Sequence, residues 1–347
     1  MLGIIFNPHA RKNLGHAERR LRALREAAGP EALIEVTSDV HEIRAALERF
    51  AAAAVCFVVC DGGDGAVHWV VNEAIALWGV DEAARRFVYM PSSAGTIDFM
   101  AAALGLRGGS LRLVGRLAEA IREGRQPRLV PLRTVDVQGT RAVDGEEVPF
   151  HRYAWAVAAA GMGANFYGPW YRSRLPGGPV RIVGLLGLGF AAAGARSALS
   201  GPLDRLRGQK LRQLEHDFLR EMPGEVLLDG APFVDRTGRR VESFNVVHAG
   251  SVHVNLGNVL KVFGDADDEH IHVHVGHLTP LETFVAVTDA ARNRRFSTPR
   301  IYDGPARTLE LRPAAGHELI PCLDGELFPG VRELRLAPGP EITFCHV

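Results

Sequence analysis

Cysteine is scarce in this chain: Cys56, Cys60, Cys322 and Cys345 are the only four, and no two form a Cys-x-x-Cys pair. Cys56 and Cys60 are read as sharing one strand face and the other two lie far away, a pattern expected of a reduced, cytoplasmic protein. An excess of charge of either sign is also missing. Forty Lys and Arg balance forty Asp and Glu, and the basic residues are scattered, so the chain lacks the electrostatic footprint of a nucleic-acid binder. A run long enough to span a bilayer is not found at 182–195. The uncharged stretch 182–195 has fourteen residues and four glycines, against about 20 for a spanning helix. Internal repeats and low-complexity tails are absent. The start, Met1-Leu2-Gly3-Ile4-Ile5-Phe6, is too short for a signal peptide and reads as a first strand.

What is present begins with Val58-Val59-Cys60-Asp61-Gly62-Gly63-Asp64-Gly65-Ala66-Val67, an apolar run broken by a glycine-rich turn and followed by a helical pattern. Glycines at 62, 63 and 65 are expected to permit positive φ and close backbone approach, so that successive N–H groups converge on phosphate oxygens at the positive end of the next helix. No Lys-Ser or Lys-Thr pair follows, as a P-loop requires, and the glycine spacing is too narrow for the dinucleotide fingerprint. Asp64 inside the turn would repel a triphosphate unless a divalent cation lay between them or the acid took part in the chemistry. A plain β-to-α turn is the structural alternative.

Apolar strands at 2–6, 32–36, 55–60 and 86–90 alternate with helical patterns from about 16, 40, 66 and 96, with Ser38 or Asp39 as a cap for the second helix. This predicts an α/β, Rossmann-like first domain with a parallel sheet and its ligand at the carboxyl ends of the strands. From about residue 129 the texture changes to short alternating stretches, 130–137, 153–159, 243–249 and 270–275, which predict a mainly antiparallel second domain. The expected division is 1–128 for the nucleotide-binding domain and 129–347 for a β-rich acceptor domain. The Gly- and Pro-rich stretches 176–179 and 223–238 read as loops.

Two further loops emerge on the strand side that carries the glycine turn: Asn7-Pro8 after the first strand, and Pro91-Ser92-Ser93-Ala94-Gly95-Thr96 after Phe87-Val88-Tyr89-Met90. Near the C-terminus comes Leu323-Asp324-Gly325-Glu326. An Asn-Pro start, a Gly-Gly-Asp-Gly turn, a Pro-to-Gly-Thr loop and a late Asp-Gly-Glu, in this order, resemble the diacylglycerol kinase and sphingosine kinase catalytic family of lipid kinases. The late Asp-Gly-Glu argues against the related NAD kinases. The resemblance implies a β-sandwich-like second domain, an acceptor site in the cleft between the two domains and last residues that pack back toward the first.

It further implies ATP and Mg²⁺ as cofactors, a lipid substrate such as diacylglycerol, a sphingoid base or ceramide, and peripheral contact of a cytoplasmic enzyme with a membrane, and it leaves a homodimer open. Asn7, Gly62, Gly63, Asp64, Gly65, Gly95 and Thr96 are then the nucleotide residues. Asp324 becomes the general base, the role the family places on that aspartate, with Glu326 orienting it or holding Mg²⁺ and Asp64 a second candidate for base or metal contact. Taken alone, Asp-Gly is also a strong hairpin-turn signal. A nucleotide or lipid sensor without turnover and a soluble-metabolite kinase on the same fold are the alternative functions.

The family pattern is broken at several places. Ala66 stands where Thr is usual, His68-Trp69 where Asn-Glu is usual, Gly95-Thr96-Ile97-Asp98-Phe99 replaces Gly-Thr-x-Asn-Asp, and Asn165 takes the place of an acidic residue. His270, His272 and His274 alternate on a strand with His277 nearby, spacing that suits zinc or a polar sheet face. Phe166, Tyr167, Trp170, Tyr171, Arg172 and Arg174 mix aromatic and basic side chains suited to a headgroup interface.

Overall fold

The computed structural model describes the chain except for residues 11, 96, 167–219 and 257–259. It divides into two compact units, residues 1–134 with 340–347, and residues 135–339.

The first unit alternates β1 (Leu2–Phe6), α1 (Ala17–Ala28), β2 (Leu33–Val36), α2 (Val40–Ala52), β3 (Phe57–Asp61), α3 (Asp64–Trp78), α4 (Val80–Arg86) and β4 (Val88–Pro91), followed by α5 (Phe99–Ala103) and α6 (Ser110–Arg122). The strands pair in parallel in the order β4-β3-β1-β2. In β1, β3 and β4 the residues are almost wholly apolar and buried because both faces are covered, whereas the edge strand β2 is half-buried with Val36 exposed. Helix α1 packs beside α6, and α2 beside α3. In α6 the buried residues Leu113, Val114, Leu117, Ala118 and Ala120 form one stripe, the spacing of an amphipathic helix seated on a sheet. Helix α2 is capped by Asp39, whose carboxylate accepts the Glu42 N–H at 3.0 Å. Because β1 leads outward to β2 on one side and is flanked by β3 on the other, the strand order reverses between β1 and β3. That is the switch point at which such sheets bind ligands.

The second unit contains β5 (Arg128–Val143), β6 (Glu146–Ala154), β7 (Ala156–Gly161), β8 (Met222–Leu228), β9 (Ala231–Pro232), β10 (Ser243–Phe244), β11 (Val246–Gly250), β12 (Val254–Leu256), β13 (Leu260–Val262), β14 (Ile271–Gly276), α7 (Pro280–Ala291), β15 (Ile301–Ala306), β16 (Leu309–Pro313), β17 (Cys322–Leu323), β18 (Glu326–Leu327) and most of β19 (Val331–His346). Strand β5 begins, and β19 ends, in residues of the first unit, where Phe344 pairs with Tyr89 of β4. One antiparallel sheet runs β15-β14-β11-β7-β17-β18, and a second antiparallel arrangement runs β10-β8-β16-β19. Helix α7 starts with a capping box between Thr279 and Glu282 and places Ala286 against Met162, Val246, Leu278 and Ile301.

Several expectations are corrected here. The expected helix from about 96 begins at Phe99 and is only five residues long, and α3 starts at Asp64 rather than 66. The stretch 153–159 is not one strand, because pairing breaks at Trp155, between β6 and β7. Residues 223–228 and 231–232, read as loop, fall in β8 and β9. Cys56 precedes β3 and is exposed whereas Cys60 is buried within it, so the two do not share a strand face. The 176–179 and 182–195 stretches, Thr96, Tyr167, Trp170, Tyr171, Arg172 and Arg174 lie outside the described residues.

Candidate functional site

At the switch point the chain turns from β3 into α3 through Gly62 and Gly63. The expected positive φ is not found: Gly63 has φ −102° and ψ −161°, and Gly62 and Gly65 are not in the left-handed region either. The glycines answer to close approach instead. A Cβ on Gly62 would stand 2.4 Å from the Cβ of Ala66, and one on Gly95 would stand 2.4 Å from the Cα of Gly63. The 91–98 loop therefore lies directly on the glycine turn, with the Ala94 N–H donating to Gly62 O at 3.0 Å.

The N-cap of α3 is Gly63, which has no side chain with which to cap the helix. The first turn also carries the acid Asp64, so an anionic group such as a phosphate fits this helix start together with a cation that offsets that carboxylate. Not every expected donor serves it. The Gly62 N–H donates to Cys60 O at 3.1 Å, and the Gly95 N–H donates to Asp98 Oδ1 at 2.7 Å. Asn7 stands beside Gly62, its N–H donating to Asp61 O at 3.1 Å and its Oδ1 accepting the His9 N–H at 2.8 Å.

Asp64 is buried and its carboxylate is engaged by backbone: Oδ2 accepts from Phe99 N at 3.2 Å and Oδ1 from Met100 N at 3.0 Å. It supplies to α5 the side-chain cap that Asp98, the local N-cap with φ 55°, does not provide. Asp98 is held otherwise. Its Oδ2 pairs with Lys12 Nζ at 2.9 Å, and Lys12 also donates to Ser93 O at 2.6 Å. A lysine thus reaches the loop edge from the segment after Asn7-Pro8, a residue the sequence reading did not single out.

Asp61 was also missed, although it is the one charge in an apolar strand. Its side chain is fully buried, and three donors from separate segments converge on it: Ser92 Oγ at 2.6 Å and Ser110 Oγ at 2.5 Å on Oδ1, and Asn13 Nδ2 at 3.3 Å on Oδ2. Arg20 Nη2 lies 3.8 Å from Oδ1. One carboxylate thereby ties together the loops after β1 and β4, helix α1 and the start of α6. A buried charge is tolerable only when paired and hydrogen-bonded in this way.

Asp324 and Glu326 belong to the second unit. Asp324 and Gly325, with φ 51° and 97°, form the two-residue turn between β17 and β18, as the hairpin reading of Asp-Gly requires. Yet Asp324 is buried. Its N–H donates to Ala156 O, and its Oδ1 accepts the N–H groups of both Trp155 and Ala156 at 2.9 Å. The break at Trp155 is explained by this: the backbone donors there turn to a carboxylate instead of a neighbouring strand. Glu326, on β18, is half-buried opposite Leu323.

The same clasp occurs a second time. Asp229 and Gly230, with φ 51° and 79°, turn between β8 and β9, the Asp229 N–H donates to Thr308 O, and Asp229 Oδ1 accepts the N–H groups of Arg307 and Thr308 at 2.7 and 2.9 Å. Asp229 is exposed where Asp324 is buried. Burial, not local backbone geometry, sets Asp324 apart. Among the described residues no helix is long and apolar enough to cross a membrane.

Comparison with known proteins agrees with the motif resemblance. Residues 1–129 match the family model described as the diacylglycerol kinase catalytic domain, a family of kinases. Among curated proteins none matches the chain in sequence. Solved structures with the same fold include a diacylglycerol kinase from Bacillus anthracis strain Sterne, 14% identical with a TM-score of 0.56, the match covering 100% of this chain and 96% of that one. Another chain from the same strain, described only provisionally as a diacylglycerol kinase, is 16% identical with a TM-score of 0.59 over 100% and 97% of the two chains. At these identities the likeness is one of fold, and it extends over both units.

Proposed function

We propose that this chain is a lipid kinase that transfers the γ-phosphoryl group of ATP to a lipid hydroxyl, with Mg²⁺ required. The observation that carries the reading is the start of α3 on a glycine turn at the switch point, with Gly63 as its N-cap, within the residues that match the kinase family. Bound there, the nucleotide would supply the phosphoryl group and the metal would neutralise its charge.

The chain's own residues then have distinct tasks. The first turn of α3, at Gly63, Asp64 and Gly65, holds phosphate oxygens by backbone N–H groups and the helix dipole, and Asn7 and Thr96 add side-chain contacts. Gly62 and Gly95 contribute closeness of the two loops rather than donors, since their own N–H groups are occupied. Asp64 and Glu326 are the carboxylates assigned to Mg²⁺, and Asp64 also fixes the start of α5. Asp324 accepts the proton of the lipid hydroxyl, its orientation set by the Trp155 and Ala156 N–H groups. Peripheral contact with a membrane and a cytoplasmic location follow from the substrate class.

A second reading is favoured by one observation, the repetition of the Asp324 clasp at Asp229. If that clasp serves only to fasten a hairpin, the chain binds nucleotide and lipid without transfer. The deciding assay offers labelled ATP and Mg²⁺ with a panel of diacylglycerol, sphingoid base and ceramide in vesicles, beside water-soluble alcohols. Transfer to one lipid supports the proposal. Transfer to soluble alcohols alone, or binding with no transfer to any acceptor, rejects it.

A further inference from the structure

A second polar cluster lies on the six-stranded sheet, remote in sequence from every motif above. His272 and His274 are two apart on β14 and so share a face, and Asp303 of β15 stands directly opposite His274. The three residues are 3%, 3% and 5% exposed, and one ligand-type atom from each lies within 4.8 Å of the others. His272 Nε2 is 2.7 Å, and His274 Nε2 3.4 Å, from Asp303 Oδ1. His270, which the sequence spacing grouped with them, precedes β14 and bonds to Asp267 instead. The strand alternation predicted three histidines; the fold selects two of them and adds an aspartate.

We propose that His272, His274 and Asp303 form a binding site for a divalent transition-metal ion of the zinc type. Two imidazole nitrogens and one carboxylate oxygen are the donor set such ions prefer over Mg²⁺ or Ca²⁺. Ligands about 2.0–2.1 Å from a tetrahedral ion stand about 3.3 Å from one another. The His274 to Asp303 separation already matches, and the His272 to Asp303 separation needs to open by a fraction of an ångström.

The surroundings act as an outer layer that orients the ligands. The Phe296 N–H donates to Asp303 Oδ2 at 2.6 Å, leaving Oδ1 to face both imidazoles. Phe263 stacks on His274 with centroids 5.0 Å apart, and Phe296 packs on the same ring at 4.6 Å. On the adjacent strand β11, His248 faces His274 in register, and its Nε2 is buried without a hydrogen-bond partner among the described residues.

His272 now accepts the Asp265 N–H at Nδ1, at 3.0 Å, so its ring proton is on Nε2. Loading would therefore put that proton on Nδ1, which breaks the hydrogen bond from the Asp265 N–H. The Asp265 carboxylate, 3.7 Å from Nδ1, is placed to accept it as a hydrogen bond. The Asp265 side chain is 37% exposed, which marks the access route from solvent.

The test uses the full chain, stripped with a chelator and titrated with Zn²⁺ by calorimetry and with Co²⁺ by visible absorption, without nucleotide or lipid. Its outcome is therefore independent of the kinase proposal. One equivalent is expected, with a tetrahedral Co²⁺ spectrum and a metal-dependent rise in Tm. His274→Gln and Asp303→Asn should abolish the spectrum, and Asp265→Ala should weaken affinity about 10–100-fold. Absence of a stoichiometric site in the wild-type chain, which needs no variant to fold, would overturn the proposal. So would binding that persists unchanged in both ligand variants. Either result would mark the cluster as a metal-free hydrogen-bond network.

Discussion

Gly95 rests on Gly63: a Cβ added to the first would stand 2.4 Å from the Cα of the second and 2.7 Å from Asp98 Oδ1. Backbone cannot yield as a flexible side chain can, so Gly95→Ala must push the 91–98 loop off the glycine turn. The sheet beneath is untouched, and the melting transition should stay cooperative. Displacements of about 1 Å can cost about a hundredfold in turnover, and a loss of that order is expected alongside weaker ATP binding. Calorimetry with ATP and an initial-rate assay check this, and unchanged affinity would refute the role given to the loop contact.

Asp61→Ala should be among the most destabilising changes in the first unit. It leaves the hydroxyls of Ser92 and Ser110, the Asn13 amide and the Arg20 guanidinium without the acceptor they surround. A loss of about 3 kcal/mol is expected for removal of one partner from such a buried network. Urea denaturation measures it. A loss below about 1 kcal/mol would mean that water replaces the carboxylate with little penalty.

Asp64→Ala removes the cap of α5, and the expected stability loss is about 1 kcal/mol. If Asp64 also meets the metal, its effect on phosphoryl transfer should exceed that of loosening α5 by other means. Met100→Pro, which removes one of the two N–H donors to Asp64, supplies the comparison. Equal losses of turnover in the two variants would confine Asp64 to the structural role.

Asp324→Asn and Asp229→Asn form a matched pair. In both, the amide oxygen still accepts the two backbone N–H groups, so the clasp survives while the charge and the basic oxygen are lost. The general-base assignment predicts a fall of about 10²–10⁴ in turnover for Asp324→Asn and almost none for Asp229→Asn. Comparable rates in the two variants would remove Asp324 from the chemistry.

Thiol labelling offers a check on the fold itself. Burial raises the Cys60 thiol well above its ordinary value and pushes Cys345 up to about 12, and Cys322 is buried as well. Only Cys56 is exposed, so one of the four cysteines should react rapidly with maleimide in the native protein and all four in denaturant. Rapid native labelling of Cys60 would contradict its place inside β3.

The alternation of apolar strands and amphipathic helices in the first third determined by itself a parallel α/β sheet, because a strand covered on both faces must be apolar throughout and a covering helix must carry one apolar stripe. The same reading located Asn7, the glycine turn and the 91–96 loop at one sheet edge, since each directly follows a strand. Local pattern also made Asp-Gly at 324–325 a hairpin turn, whose positive φ at both residues is a property of the dipeptide.

Only tertiary structure decided what those residues touch. Whether Gly95 is needed for φ or for space depends on Gly63, which the chain brings near by folding. That Asp61 gathers Asn13, Ser92 and Ser110, that Asp64 caps a helix thirty-odd residues away, and that Asp303 joins His272 and His274 while His270 does not, all depend on strand order and register. Burial likewise distinguishes Asp324 from Asp229, although the local turn is the same. Such facts arise from contacts between segments far apart in sequence, and periodicity carries no information about which distant side chain will meet a given carboxylate.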